Sequence, residues 1–546
     1  MKRVLVVGSG IAGLTCSIEC AKRGIKTTLI SPYPEERAQS VLAAGGINAV
    51  LGLGKGGDSI ASHIEDTLKG GCYIAGKNAV TGLCEDAPDI IKWLEGIGTV
   101  FSTDTDGTIR QRAFGGQSFN RTCYCGASTG KQIVTALKME ARRLEGLNMI
   151  QRRIGLDFYS ALIADGECYG ALLYNRLTGQ LEAVTSDFVV VATGGMNALF
   201  RMSTGSTLCD GYVSGKLFEQ GVELKNLEFI QYHPTTFSTG QKRMLVTEAV
   251  RGEGGRLYYE ENGKRVYFME ERYGKSGNLM PRDIVSKCME ETGKDVFLDI
   301  SFLGRDKIMQ RIPEAYELCR KYRGIDISEE SIPVLPSVHF FMGGIAVNNE
   351  HETRIKNLYA IGECASIYHG ANRLGGNSLL AAIHGGRLAA RSIENRTEGA
   401  GEQDPSDELK CGNERLEKLK QSRSSFPVMY IRDHLAQNMQ DDLGIVRSCD
   451  RLQRGLDDVS YYLSIADKLR YDNRNPELTY FGYSLKSVLT LAKATFECAK
   501  SRQESRGAHL RSDYPEKREE WAFSTIISYD AGAFNTYLDK EGRYES

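Results

Sequence analysis

The chain has 546 residues, of which 41% are hydrophobic and 25% are charged, and its formal net charge is −2. A chain of this length exceeds what one hydrophobic core supports, so we expect two or three domains, and the balanced charge argues against nucleic acid as a partner. The sequence contains no apolar window of about 18 residues, and its start, MKRVLVVGSG, resembles neither a secretory signal nor a twin-arginine leader. We therefore expect a cytoplasmic protein that does not itself span a membrane.

The 14 cysteines are scattered along the chain and form no C-x-x-C pair. Their spacing suits neither zinc nor an iron–sulfur cluster, so we predict no metal site. Free thiols fit a reducing compartment. The closely spaced Cys123 and Cys125 are interpreted as packing residues rather than as a redox pair.

A dinucleotide-binding turn is predicted at the N-terminus. The β-branched run Arg3 to Val7 predicts a strand, which leads directly into the sequence GSGIAG, a helical pattern and a second strand. In this motif Gly8 permits a tight turn, Gly10 lets the backbone approach a pyrophosphate, and Gly13 permits close helix packing. The helix N-terminus offers amide donors to the phosphates. The second strand ends at Ser31, where many dinucleotide folds carry an acid, and this weakens an interpretation as an NAD enzyme.

Later strand-and-glycine patterns predict further parts of the same binding site. The run Asp187 to Val191 is followed by Ala-Thr-Gly-Gly, and the run Leu358 to Ile361 is followed by Gly-Glu-Cys. Arg373 opens the sequence RLGGNSL, which predicts the start of a helix whose N-terminus can face a bound cofactor. Strands that alternate with helices in this way are typical of an α/β domain.

Between residues 226 and 339 the chain changes to short mixed strands with many charged residues. The part from 228 to 255 contains His233, Thr247, Glu248 and Arg251. A neutral donor, a hydroxyl, a carboxylate and a guanidinium so close in sequence suit an anionic substrate and a proton transfer. The simpler alternative is a polar loop whose charges are solvated. We interpret the segment as an inserted domain that covers the cofactor.

Several motifs together resemble one known family. They are PRD at residues 281–283, HFFMGG at 339–344, HGANRLG at 369–375 and ESRGAHLRSDYP at 504–515. With the N-terminal motif, they resemble the flavoprotein subunit of succinate dehydrogenases and fumarate reductases, a family that also includes L-aspartate oxidase. The resemblance runs in order from Met1 to about Trp521.

The resemblance implies an α/β fold, namely a Rossmann-like FAD-binding domain with an inserted α+β capping domain and a C-terminal helical region. A polar linker at residues 398–405 precedes apolar residues at three- and four-residue spacing, as expected for the helical region. The predicted domains are 1–225 and 341–398 for FAD binding, 226–340 for the cap, 406–511 for the helical domain and 512–546 for a C-terminal segment.

The resemblance also implies FAD as the cofactor, and one segment predicts how FAD is attached. In relatives this segment reads Arg-Ser-His-Thr and its histidine is bonded covalently to the flavin, whereas Gln39 stands in that place here. We therefore predict noncovalent FAD with a lower potential, which favours fumarate reduction over succinate oxidation. The predicted FAD-binding residues are Gly8, Gly10, Ala12, Gly13, Ser31, Ser40, Ala44, Gly45, Gly46, Ala192, Thr193, Gly194, Asp210, Glu363, Ser378 and Leu379. Ala44 departs from the family, which usually carries Glu or Gln before Gly-Gly.

The activity implied by the resemblance is the interconversion of fumarate and succinate, with hydride transfer from flavin N5 and proton delivery by an arginine. Arg282 is the implied proton donor, and Glu248 and Arg251 would supply its proton. The predicted substrate-binding residues are His233, Thr247, His339, Arg373 and Phe114. The phenylalanine would pack against the carbon skeleton of the substrate.

Two alternatives stay open at this point. The chain could be a flavin electron-relay subunit without dicarboxylate chemistry, or an enzyme of the L-aspartate oxidase type. Relatives of the second type carry Gly-Gly-His-x-x-x-Arg where this chain has FGGQSFNR at residues 114–121, and this difference favours the dicarboxylate enzymes. Because the chain has no cluster motif, family analogy implies a separate iron–sulfur subunit, through which the protein could lie at the inner face of the cytoplasmic membrane. The electron donor or acceptor, whether quinone, thiol or another carrier, is left open.

Overall fold

The computed structural model describes residues 1–52, 57–126, 128–240, 242–421, 427–468 and 476–545. The remaining residues fall within the predicted FAD-binding, cap, helical and C-terminal segments, so those parts of the predictions lie outside the described residues. The helices are α1 Ile11–Lys22, α2 Ile60–Gly70, α3 Lys77–Gly96, α4 Thr129–Gly146, α5 Tyr212–Glu219, α6 Ala249–Gly252, α7 Phe268–Tyr273, α8 Arg282–Thr292, α9 Arg305–Arg311, α10 Pro313–Arg323, α11 Asn377–Asn395, α12 Ser406–Lys420, α13 Val428–Asp442, α14 Cys449–Ile465 and α15 Pro476–Ser501. The strands are β1 Arg3–Val7, β2 Lys26–Ser31, β3 Ile47–Asn48, β4 Gln111–Arg112, β5 Thr122–Cys123, β6 Ile150–Ile154, β7 Leu156–Ala164, β8 Glu167–Asn175, β9 Gln180–Thr185, β10 Phe188–Val191, β11 Leu224–Lys225, β12 Ile230–Ser238, β13 Arg243–Leu245, β14 Arg256–Glu261, β15 Lys264–Val266, β16 Val296–Asp299, β17 Ile332–Phe341, β18 Gly344–Ala346, β19 Leu358–Ala360, β20 Ala365–Ser366, β21 Val446–Arg447, β22 Leu510–Arg511, β23 Thr525–Asp530 and β24 Ala533–Leu538.

A parallel sheet in the strand order β19-β10-β1-β2-β6 forms the centre of the N-terminal part. The central strands β1 and β10 are almost wholly buried, as expected when helices cover a parallel sheet. Helix α1 packs against α4 and α11 over this sheet. Because the strands run the same way, the carboxyl ends of β1, β2, β10 and β19 meet at one edge, where ligands bind in such folds. The predicted α/β class is confirmed.

The inserted segment is built on an antiparallel sheet in the order β13-β12-β17-β16-β14-β15. Helices α7 and α8 pack against this sheet around a separate apolar core. Strands β12 and β17 are neighbours, with Gln231 opposite Phe340 and His233 opposite Ser337, and their register shifts between these pairs. The pairing brings together the two strands that carry the predicted substrate histidines.

A third sheet joins the cap to the rest of the chain. Its order is β20-β18-β11-β23-β24, and the C-terminal hairpin β23–β24 pairs with β11, where Leu224 lies opposite Ile527. Strand β11 comes just before the cap segment and β18 just after it. For the residues beyond Trp521 the sequence predicted a C-terminal segment without a structure. In the fold they extend the sheet that contains the two strands through which the chain enters and leaves the cap.

The C-terminal helices α14 and α15 pack on each other, and α15 also lies against α5. This confirms the predicted C-terminal helical region, whereas the five domain boundaries stay predictions. Within the described part of the chain, no helix is both long enough and apolar enough to cross a membrane.

Candidate active site

One long cavity begins at the carboxyl edge of the parallel sheet and continues beneath the cap. With the exception of Gly13, the predicted FAD-binding residues line this cavity. They are Gly8, Gly10, Ala12, Ser31, Ser40, Ala44, Gly45, Gly46, Ala192, Thr193, Gly194, Asp210, Glu363, Ser378 and Leu379. Their individual contacts with a cofactor stay predictions.

The turn after β1 depends on two glycines that pack against each other. Gly8 has a φ angle of +113°, and a Cβ at this position would overlap the carbonyl oxygen of Ala192. A Cβ on Gly13 would overlap the carbonyl oxygen of Gly8. Gly13 therefore lies behind the turn and permits the close packing of α1, as its place in the motif predicts.

Two helices begin at this cavity without a side-chain cap. Helix α1 follows Gly10, and helix α11 follows Gly376. The first N–H groups of a helix have no intrahelical acceptor, so such helix ends can donate to phosphates or to a flavin carbonyl. Together with the glycine turn and a cavity lined by residues of both the sheet edge and the cap, these donors fit FAD.

Two polar side chains at the cavity wall are held by other parts of the chain. Asp210 pairs with Arg432 at 3.1 Å and accepts a hydrogen bond of 2.8 Å from the Tyr480 hydroxyl, so helices α13 and α15 supply its partners. Gln39 lines the cavity, and its amide oxygen accepts the backbone N–H of Ser206. The side chain in the place of the family's linking histidine is thus an amide engaged with the backbone.

The polar end of the same cavity contains the predicted substrate residues. The lining side chains are Phe114, His233, Thr247, Glu248, Arg282, His339 and Arg373. They come from the loop after β4, β12, the loop between β13 and α6, the start of α8, β17 and the loop before α11, so the fold brings together residues that are far apart in sequence. Arg251 lies behind Glu248 rather than in the cavity wall. The roles of all eight residues stay predictions.

A buried chain of alternating charges connects Arg282 to Arg251 through Glu248. Glu248 Oε2 accepts hydrogen bonds of 2.9 and 2.6 Å from Arg282 Nε and Nη2, and Glu248 Oε1 lies 3.0 Å from Arg251 Nη2. Oε1 also accepts the N–H of Gly115 at 3.0 Å. Burial disfavours the carboxylate, but Arg282, Arg251 and these hydrogen bonds together lower the pKa of Glu248 to about 2. Glu248 is therefore ionised at neutral pH.

Gln231 lies behind the two arginines that line the cavity, and no sequence motif singles it out. Its Oε1 accepts hydrogen bonds of 3.0 Å from both Arg282 Nη1 and Arg373 Nη2. The Arg373 guanidinium also lies 4.3 Å from the centre of the Phe340 ring. Because side chains alternate along a strand, Gln231 is expected on the same face of β12 as His233. This alternation is the feature of the sequence that could have identified Gln231 as a site residue.

The two histidines of the cap are neutral hydrogen-bonding groups. Burial lowers the pKa of His233 and of His339 well below the usual value, and the charge of Arg282 lowers both further. The N–H of Thr235 donates to His233 Nδ1 at 3.3 Å, so the ring proton of His233 is on Nε2. His339 Nδ1 lies 2.7 Å from the hydroxyl of Thr204, which no sequence motif predicted. Neutral rings can donate to a carboxylate without adding charge to the site.

Phe114 forms an apolar wall between the cofactor region and the arginines. Its ring lies so close to Gly45 and Gly375 that a Cβ on either glycine would come within 3.1 Å of it. Arg121 of the same loop is wholly buried and pairs with Asp66 at 2.6 Å, and it does not line the cavity. Among the described residues, no group of His, Cys, Asp and Glu side chains could hold a metal ion.

Comparison with known proteins identifies matching families over most of the chain. Residues 3–379 match the FAD binding domain family, and residues 432–541 match the fumarate reductase flavoprotein C-terminal family. The succinate dehydrogenase flavoprotein subunit of Bacillus subtilis is 34% identical over 96% of this chain and 94% of its own length. One subunit of the fumarate reductase (CoM/CoB) of Methanothermobacter marburgensis is 33% identical over 96% of each chain.

A solved structure shows the same architecture. The FrdA chain of E. coli quinol fumarate reductase, in a mutant form, superposes with a TM-score of 0.91 at 30% identity, covering 98% of this chain and 97% of that one. The chain therefore belongs to the family of succinate dehydrogenase and fumarate reductase flavoprotein subunits, and the predicted resemblance and the predicted cofactor, FAD, are confirmed.

The Glu248 carboxylate should make stability depend on pH. Its pKa is lower in the folded state than the ordinary value of 4.5, so its contribution is present above that value and is lost as the pH falls towards 2. We expect Glu248→Gln to destabilise the protein by about 3 kcal/mol at pH 7, because two buried arginines lose their counter-charge. The difference from wild type should shrink at pH 3.

Urea unfolding at both pH values measures this effect. The exposed Glu261, which pairs with Lys294 at the surface, supplies the control Glu261→Gln, and this variant should stay within about 0.5 kcal/mol of wild type. If the Glu248→Gln protein is as stable as the control at pH 7, the Glu248 carboxylate does not offset the positive charges of Arg251 and Arg282.

Proposed function

We propose that this chain is the catalytic flavoprotein subunit of a fumarate reductase or succinate dehydrogenase, with fumarate reduction as its working direction. One observation carries the proposal: Arg282 and Arg373 line the same cavity as the FAD-binding residues and are held together by Gln231 at 3.0 Å each. Two guanidiniums that share one neutral acceptor suit a substrate with carboxylates, since guanidinium groups bind carboxylates through paired hydrogen bonds.

Each of the predicted site residues has its own role in the proposed reaction. Arg373, with Thr247, the Nε2–H group of His233 and the neutral ring of His339, binds and polarises the substrate carboxylates. Phe114 packs against the carbon skeleton and limits access of water. Bound FAD supplies the hydride equivalent, and Arg282 delivers the proton to the neighbouring carbon. Glu248 and Arg251 then return a proton to Arg282 along their buried chain.

An arginine acid needs a physical reason, because the ordinary arginine pKa is above about 12. Three guanidiniums lie in or beside the site and two of them share the Glu248 carboxylate, and burial lowers the pKa of Arg251 and, more strongly, that of Arg373. Arg282 lies 2.6 Å from Glu248, so a proton that leaves Arg282 can be replaced across a direct hydrogen bond. This short path supports Arg282 rather than a histidine as the donor, since the buried histidines are neutral.

The L-aspartate oxidase alternative requires an acceptor for the substrate ammonium group. Glu248, the carboxylate beside the arginines, is already engaged by Arg282, Arg251 and the Gly115 N–H. Phe114 occupies the loop position next to it and offers no hydrogen-bond acceptor. These contacts favour a dicarboxylate without an amino group.

We further propose noncovalent FAD and a separate electron-carrying subunit. The amide of Gln39 is not nucleophilic in the way that an imidazole is, and its oxygen is engaged by the Ser206 N–H. The similar proteins are named as subunits, which supports assembly of this chain with a partner that carries iron–sulfur clusters. Without the histidyl link the flavin potential should be lower, and this favours the reduction of fumarate.

A dye-coupled assay tests the proposed activity. We expect the purified flavoprotein to oxidise a reduced viologen dye with fumarate, to act poorly on crotonate, and to leave L-aspartate unoxidised under oxygen. Crotonate lacks the second carboxylate and would leave a buried cation unpaired, which should lower kcat/KM by about 10²-fold or more. Equal rates with crotonate and fumarate would exclude a two-carboxylate site. Absence of any fumarate reduction would favour the electron-relay alternative.

The proton-donor role of Arg282 predicts a specific kinetic defect. Arg282→Lys keeps the positive charge but loses the planar guanidinium that bonds Glu248 and Gln231 together. We expect kcat to fall by about 10²-fold or more with a smaller change in KM, because proton delivery acts in the transition state. The matched control is Arg272→Lys at the exposed surface of the cap. A kcat within a few fold of wild type would remove Arg282 from the acid role.

Acid precipitation tests the attachment of the flavin. Since Gln39 stands in place of the linking histidine, trichloroacetic acid should release all of the yellow colour into the supernatant. Yellow colour that stays in the washed pellet would indicate a covalent bond to another side chain and would contradict the interpretation of this segment.

A further inference from the structure

We propose that Gln231 is a positioning residue that sets the net charge of the substrate site, and that Asn372 and Asp283 aim its amide oxygen at the two arginines. The inference rests on the proposed function, and it adds a determinant for the preference for a dicarboxylate dianion. Its basis is a set of hydrogen bonds that allow the amides of Gln231 and Asn372 only one orientation each.

The orientation of the Gln231 amide follows from its neighbours. Gln231 Nε2 donates to Asn372 Oδ1 at 2.7 Å and to the backbone carbonyl of Arg373 at 2.8 Å. Both the arginine guanidiniums on its other side are donors, so only the amide oxygen can face them. Reversing the amide would place an NH₂ group against two cations and an oxygen against a carbonyl.

Asp283 fixes the orientation of Asn372 in the same way. Asn372 Nδ2 donates to Asp283 Oδ1 at 2.8 Å, so the NH₂ group of this amide is on the side of Asp283. The remaining Asn372 oxygen must then face Gln231. The chain of bonds therefore has one direction, from the carboxylate of Asp283 through two amides to the two guanidiniums.

The consequence is that two cations share a neutral oxygen. A glutamate at position 231 could accept the same two hydrogen bonds, but its charge would cancel one of theirs. With glutamine, no negative charge is added beside Arg282 and Arg373, which share this neutral oxygen as an acceptor. The positive charge of both guanidiniums therefore stays available to a bound anion, and a glutamate at this position would weaken the binding of a dicarboxylate dianion.

The chain of bonds also crosses between two parts of the fold. Gln231 and Asp283 belong to β12 and to the start of α8 in the cap, whereas Asn372 and Arg373 lie in the loop before α11 of the FAD-binding part. Gln231 is fully buried and Asn372 is 3% exposed. Asp283 directly follows Arg282, so the same helix start supplies one guanidinium and the carboxylate that aims the bridge.

Equilibrium binding of malonate, a dicarboxylate that cannot be reduced, tests the proposal through the flavin absorbance of the intact flavoprotein. Burial raises the pKa of Glu363 in the same cavity to about 7, so binding is measured at pH 6, where this carboxyl is mostly neutral. We expect Gln231→Glu to raise the dissociation constant by about tenfold or more, equivalent to about 1.4 kcal/mol. The control Gln132→Glu adds the same charge on the exposed face of α4 and should bind like wild type.

The pair Asp283→Asn and Asp283→Leu tests the aiming role separately. The asparagine oxygen can still accept from Asn372, so Asp283→Asn should bind malonate within about twofold of wild type, whereas Asp283→Leu should bind clearly more weakly. If Gln231→Glu does not fold, the comparison of the two Asp283 variants tests the inference by itself. Equal binding by Gln231→Glu and wild type, or by the two Asp283 variants, overturns the inference. Failure of the wild type to bind malonate and to reduce fumarate overturns the proposed function together with it.

Discussion

The burial of several guanidinium groups in one small volume is the constraint on which the rest of the site depends. Moving a cation out of water costs several kcal/mol even after relaxation, and like charges add to that cost. Glu248 compensates two of the arginines, and the Gln231 oxygen accepts from two. Positive charge that these partners leave uncompensated attracts an anion, so the arrangement that lowers stability also suits the proposed dicarboxylate.

The parallel sheet and the cap supply complementary halves of this arrangement. The sheet ends at a glycine turn where the Gly8 and Gly13 backbones pack without room for a Cβ, so the start of α1 lies directly at the turn, where helix N–H groups suit the binding of phosphates. The cap brings neutral histidines and Arg282 from neighbouring strands and a helix start. Arg373 comes from the opposite side, in the loop before α11. Neither half alone contains both a cofactor surface and a pair of arginines.

The fold class and the side chains that line the site could be predicted from the sequence, because the residues concerned lie in motifs with a steric or electrostatic role. Gly8 and Gly13 are required by sterics, and Glu248 and Arg282 belong to short charged motifs. Gln231 escaped notice because its role depends on Arg373, 142 positions later in the chain. Thr204 acts through a contact with His339 across 135 positions. Long-range partners of this kind have no local pattern, and the hairpin β23–β24 is likewise placed by distant partners, since it pairs with β11 and packs against α5 and α15.

The register of β12 is the last link between the fold and the site. Because side chains alternate along a strand, a slip of one residue would turn His233 away from the cavity and Gln231 away from the two arginines. Three residues before Gln231, the buried Glu228 accepts from Arg502 Nε and from the Thr525 hydroxyl, each at 2.6 Å, and its carbonyl accepts from Arg447 at 2.7 Å. A buried ion pair adds little net stability over an apolar packing, but it disfavours any register that leaves the charge unpaired. We therefore interpret this C-terminal network, which lies outside the cavity, as the anchor that holds the strand of Gln231 and His233 in one register.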